Sequence, residues 1–121
     1  MIIIGILAAI AIPVFLNQRE KAWAAAAASE LRNMAAAATA CSADNGGAYD
    51  APVNCGDDSD GGALEDYGWS NDSQVDTNVT LADANDWAAN ASHVNFGPCV
   101  YTFTTVQADP NTGKVVPGAG C

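Results

Sequence analysis

Met1–Leu16 carries no charged residue, and its apolar side chains fall on every face a helix would present. Ile2, Ile3, Ile4, Ile6, Leu7, Ile10, Ile12, Val14, Phe15 and Leu16 supply most of that surface. A helix apolar all round belongs in lipid or in the middle of a protein assembly. The change to water-compatible sequence is abrupt, at Asn17-Gln-Arg-Glu-Lys21. From Ala22 to Ala40 alanine dominates and no glycine or proline intervenes, so the chain predicts a continuing helix. Trp23, Ala27, Leu31, Met34, Ala38 and Cys41 recur at three- and four-residue steps, marking one face for packing on a sheet. Glu30 lies at the edge of that stripe.

Beyond Cys41 the texture changes. Ser42–Gly62 is rich in Gly, Asn, Asp, Ser and Pro and predicts irregular chain. Tyr67–Trp69 predicts the start of a strand. Asn78–Leu81 and Val100–Val106 carry β-branched and aromatic residues at strand spacing. In the latter, Tyr101 and Phe103 face opposite to Val100, Thr102 and Thr104. Asp109–Gly113 reads as a turn into a short Lys114–Val116 strand, closing a hairpin. Asp83–Ala91, around Trp87, is open between a helical turn and a loop. The expected class is α+β: a long N-terminal helix packed on a small antiparallel sheet of three or four strands. Residues 1–21 form the apolar protruding half of the helix, and residues 22–121 form one globular domain.

Charge and cysteines narrow the function. Up to Ala40 there are three cations and two acids; beyond it there are twelve acids and only Lys114. A body this acidic repels phosphate backbones, so direct nucleic-acid binding is not expected. Cys41, Cys55, Cys99 and Cys121 indicate an oxidising compartment and structural disulfides. Three pairings exist in principle, and proximity along the chain favours Cys41–Cys55 and Cys99–Cys121.

Catalytic chemistry is scarce. The single histidine, His93, has no motif partner, and no C-x-x-C, G-x-S-x-G, P-loop or zinc signature occurs. Neither an enzyme nor a cofactor is expected. Asp57, Asp58 and Asp60 on a glycine-flexible loop are candidate calcium ligands, although an EF-hand register fails with Gly56 first and Tyr67 twelfth. A solvated acidic loop is the plainer reading. Asn71, Asn78 and Asn90 open glycosylation-type triplets, and Asn78 also has Asp76 two residues before it.

The run Gly5-Ile-Leu-Ala-Ala-Ile-Ala-Ile-Pro13, followed by Val14-Phe-Leu-Asn-Gln-Arg-Glu-Lys-Ala22, resembles the N-terminal end of type IV pilins and their pseudopilin relatives. The resemblance is closest to pilins of Gram-positive, actinobacterial type. It implies the pilin fold and a helix that begins about nine residues before Met1, reaching the ~20 apolar residues a membrane span needs. Met1–Leu16 alone would reach about 24 Å. The preceding run would hold the family's methylated aromatic N terminus and the acid linked to subunit docking. Cys99–Cys121 is similar to the C-terminal disulfide region of many pilins.

The resemblance further implies a subunit held in the cytoplasmic membrane, extracted by pilus assembly machinery and polymerised with identical copies into a cell-surface filament for adhesion, motility or DNA uptake. In assembled bacterial pili of this family the segment corresponding to Gly5–Pro13 is commonly melted, and the same is expected here. Pro13 deprives the Ala9 carbonyl of its helical partner, and Gly5 adds a weak point. A kink in a continuous helix is the milder outcome. Competing roles are a type II secretion pseudopilin or a membrane-tethered calcium- or glycan-binding module. A plain single-span anchor, a secretory signal segment and a buried core helix are weaker readings of the first residues.

Overall fold

The computed structural model describes the backbone of residues 2–121 and the side chains of all of these except 8 and 10–17. One helix, α1 (Ile2–Asp44), takes 43 residues, about 65 Å at 1.5 Å per residue. Its end is set by two glycines. The Gly47 N–H donates to the Ser42 carbonyl at 2.7 Å and the Gly46 N–H to the Ala43 carbonyl at 3.3 Å. Gly46 sits at φ +74°, the left-handed conformation that such a helix stop requires.

The rest of the chain forms a short helix α2 (Ala63–Asp66) and four strands: β1 (Val75–Ala82), β2 (Trp87–His93), β3 (Val100–Thr104) and β4 (Val116–Pro117). The strands make one antiparallel sheet in chain order. Asn78 pairs with Asn90, Asn90 with Thr102, and Thr102 with Val116. Helix α1 lies chiefly over β2, with β3 and β1 to its sides. This is the α+β arrangement expected, with four strands.

Four stripe residues, Ala27, Leu31, Met34 and Ala38, land on the sheet, whereas Cys41 is buried with Cys55 and Ala63. Ala27, Leu31, Met34, Ala38 and Cys41 are buried and Trp23 is half-buried. Ala27, Leu31, Met34 and Ala38 share a core with Trp87, Ala89 and Ala91, inward positions of β2, with Tyr101 and Phe103 of β3 packed alongside. Alanine faces alanine across much of this contact, so helix and sheet approach closely. Trp87, Trp69 and Leu64, all buried, supply much of the core's bulk. The Trp87 indole N–H donates to the Cys55 carbonyl at 3.1 Å, tying the disulfide loop to the sheet.

Two expectations are corrected. Tyr67–Trp69 starts no strand: it follows α2 as a turn, where Gly68 at φ +98° lets the Trp69 N–H reach the Leu64 carbonyl at 3.1 Å. Trp69 is thereby dropped into the core. Asp83–Ala91 is neither a helical turn nor a loop throughout. Asp83 accepts the Asn85 and Asp86 N–H groups at 2.8 and 2.7 Å, capping a tight turn, and β2 begins at Trp87. The hairpin from Val100 is as expected, with shorter strands, and Asp109 shapes its turn by accepting the Asn111 N–H at 2.8 Å.

Both disulfides join neighbours along the chain. Cys41–Cys55 spans 5.8 Å between Cα atoms and Cys99–Cys121 spans 4.4 Å. Ser42–Asp44, expected to be irregular, still belong to α1, whereas Asn45–Gly62 is irregular up to α2, as its composition predicts. Asn45 organises it, donating to the Ala48 and Val53 carbonyls at 3.1 and 2.6 Å.

Candidate functional site

The leading end of α1 is the part of the molecule that its own fold leaves uncovered. Ile2, Ile3, Ile4, Ile6 and Leu7 are 57–81 % exposed. At 3.6 residues per turn these five positions span about 200° of the helix circumference, and exposed Gly5 lies on the remaining side. Monomeric soluble proteins rarely expose contiguous apolar surface of this kind, and a larger patch marks a contact with lipid or protein. Covering each such side chain is worth about 1.5–3 kcal/mol relative to water. The side chains of Ile10, Ile12, Val14, Phe15 and Leu16, which the sequence assigns to the same surface, lie outside the described residues.

In the single chain α1 runs unbroken through Gly5 and Pro13. A Cβ added at Gly5 would meet nothing within 4 Å, so no contact within the chain requires glycine there. The melting expected between these residues concerns the assembled state. Among the described residues no helix is long and apolar enough to cross a membrane.

A column of rings marks the place where the uncovered rod meets the body. Trp23 stacks on His93 with ring centres 5.7 Å apart, and the Arg19 guanidinium carbon lies 5.1 Å from the Trp23 ring centre. His93 is buried and its Nδ1 accepts the Asn95 N–H at 3.1 Å. A packed histidine that holds helix to strand explains it. Sequence reasoning missed this column, although the four-residue step from Arg19 to Trp23 places both on one helix face.

Further along α1, Glu30 Oε1 and the Trp69 indole nitrogen are buried neighbours that close no hydrogen bond of normal geometry. Burial, reinforced by the nearby charge of Asp72, pushes the Glu30 carboxyl up from its ordinary range. Its place at the stripe's edge was visible in the sequence; its neighbours were not.

The acidic loop does not assemble into a metal site. Asp57 accepts the Ser59 hydroxyl and, at 3.2 Å, the Ser59 N–H. These bonds, the hydroxyl first, hold its carboxyl below the usual range. Glu65 turns to the Gly61 N–H at 2.8 Å. Among the described residues no three His, Cys, Asp or Glu side chains are grouped to hold a metal ion, so Asp57, Asp58 and Asp60 converge on nothing. Asn78 is exposed on the sheet face turned away from α1, across from Asn90. The four cysteines pair as chain proximity favoured.

No protein-family model matches this chain, and no significant match was found among curated proteins.

Proposed function

We propose that this chain is a structural subunit of a type IV pilus, polymerising through its N-terminal helix into a helical cell-surface filament. The observation that carries the reading is the rod itself: an apolar helix end, exposed on all sides, on a folded and disulfide-stapled body. The Gly5–Pro13 run and the residues that follow give that rod its resemblance to pilins.

In this reading the monomer waits in the cytoplasmic membrane, held there by its apolar helix end. Assembly machinery then transfers the rod from lipid to a bundle of identical rods. Lipid already shelters these side chains, so the net gain on transfer is small and packing must be close. Ala9, Gly5 and the alanines of α1 suit close approach. Melting between Gly5 and Pro13 would let each subunit lengthen under load. Contacts that do not close on a ring extend into an open polymer. The role is structural, without catalysis or cofactor.

A simple tether for a calcium- or glycan-binding body needs no helix of 43 residues continuing through the body as its spine. The test is electron microscopy of sheared cell-surface material, with an antibody against the globular body. Labelled filaments are the expected result. A native product that stays monomeric outside the cell, with residues 1–21 removed, overturns the reading.

A further inference from the structure

A groove of about 560 Å³ runs along α1 beside β3 and the C-terminal disulfide. Its helix side carries Lys21 and Arg32, its floor is the small surface of Ala24, Ala25 and Ala28, and Tyr101 lies across from them. Glu20 is the one acidic side chain lining it. Lys21 and Arg32 are exposed, and neither forms an ion pair among the described residues. That is notable in a chain with 14 acids and four cations. In this groove only Glu20, among the described acidic side chains, stands beside half of the chain's positive charge.

The reason is distance along the helix. The densest acidic run, Asp57 to Asp66, follows Cys55, which the disulfide pins to Cys41. Cys41 lies nine residues beyond Arg32 and twenty beyond Lys21, about 14 and 30 Å along the axis. Within the run, Asp57 and Glu65 are engaged by their own backbone, whereas Asp58 and Asp60 make no hydrogen bond or ion pair among the described residues. Two exposed cations spaced about 16 Å apart along the lower part of α1 and two acids near its far end do not meet in one molecule. They can meet between two copies displaced along the helix axis.

The geometry points to this groove as the docking site for the Asp58–Asp60 loop of a second copy, with Lys21 and Arg32 receiving its carboxylates. The inference rests on the filament reading and adds which surfaces of the bodies touch and in what order. The contact joins two different patches, so it repeats head to tail without closing. The small floor leaves room for the loop's backbone. Complementary charge fixes register and excludes misaligned neighbours more than it adds affinity. It also places an attractive contact between bodies whose net charge would otherwise hold them apart.

Zero-length carbodiimide coupling of wild-type filaments, grown from mixed light and heavy isotope-labelled full-length chains, tests the contact. It joins an amine to a carboxylate only where they touch. Mixed-isotope peptides linking Lys21 to Asp58 or Asp60 are expected, while Lys114, on the outer sheet face, should not link to that loop. In parallel, Lys21→Glu with Arg32→Glu should lower filament yield about tenfold or more, and adding Asp58→Lys with Asp60→Lys should restore it. Filaments that form normally but lack the Lys21 link, or that tolerate the reversed charges, overturn this contact and leave the filament reading standing. A wild-type chain that never polymerises overturns both.

Discussion

The two halves of α1 are apolar in different ways, and the contrast explains the molecule. The half that includes Trp23, Leu31 and Met34 is mostly alanine, with one stripe buried on β2 and polar or small residues elsewhere. The half that includes Ile2–Leu7 is rich in isoleucine and alanine, and Ile2–Leu7 are exposed, with no sheet beneath them. Propensity does not separate them, since α1 passes through both without a break. Packing does. The first kind of surface is satisfied inside the chain; the second has to be satisfied by something outside it.

Paired substitutions break that comparison most sharply. Leu31 is fully buried, so Leu31→Ala should destabilise the unassembled chain by about 2–5 kcal/mol, read from denaturant midpoints. Ile4→Ala, on the exposed half, should shift the same midpoint by no more than about 0.5 kcal/mol while lowering filament yield. Equal destabilisation by the two would mean that the leading half packs on its own body.

Removing the Cys41–Cys55 bridge by Ser substitution should cost about 3 kcal/mol, the chain-entropy value for a loop of this size. The bridge closes 14 residues of sequence and its loop holds the Trp87 indole. A loss of near-UV Trp signal together with the lowered Tm is expected; either alone would contradict the coupling.

Two smaller effects concern pH within the body. The Asn85 and Asp86 N–H groups hold the Asp83 carboxyl below the usual range. Its contribution to folding is therefore present above about pH 4, near the unfolded value. It is lost as pH falls through the lower folded value. Asp83→Ala should flatten that acid limb of the Tm–pH curve; an unchanged limb would show that the turn stands without the carboxylate. Glu30 behaves oppositely. Its raised carboxyl, due first to burial and then to Asp72, opposes folding when ionised. Glu30→Gln should raise Tm slightly at pH 7, and the difference should shrink as pH falls toward about 4.3, the unfolded value. A drop in Tm at pH 7 would mean that the Trp69 contact outweighs burial.

The features legible in the sequence are those written in local chemistry. The helix stripe is a three- and four-residue rhythm of larger apolar and alanine positions. β1 and β3 carry valine, threonine and aromatics at alternating places. The Asp109–Gly113 turn contains its own donors, acceptors and glycine. β2 was illegible for a physical reason. Trp87-Ala-Ala-Asn-Ala-Ser-His93 has no β-branched residue, and alanine and asparagine are depleted in strands. It is a strand because β1 and β3 pair with its two edges and because its inward Trp87, Ala89 and Ala91 pack against α1. Tyr67-Gly-Trp69 misled in the opposite direction: its aromatics have strand spacing, but Gly68 takes a conformation that ends a helix. The Arg19–Trp23–His93 column and the Glu30–Trp69 contact each depend on residues far apart in sequence, so composition could not reveal them.

Helical reconstruction of the assembled filament by electron cryomicroscopy decides the matter. Residues 2–21 of every copy should lie at the axis, side by side with the same residues of neighbouring copies, and the disulfide-bearing bodies should face solvent. A polymer in which Ile2–Leu7 face water, or are absent from the mature subunit, would contradict it.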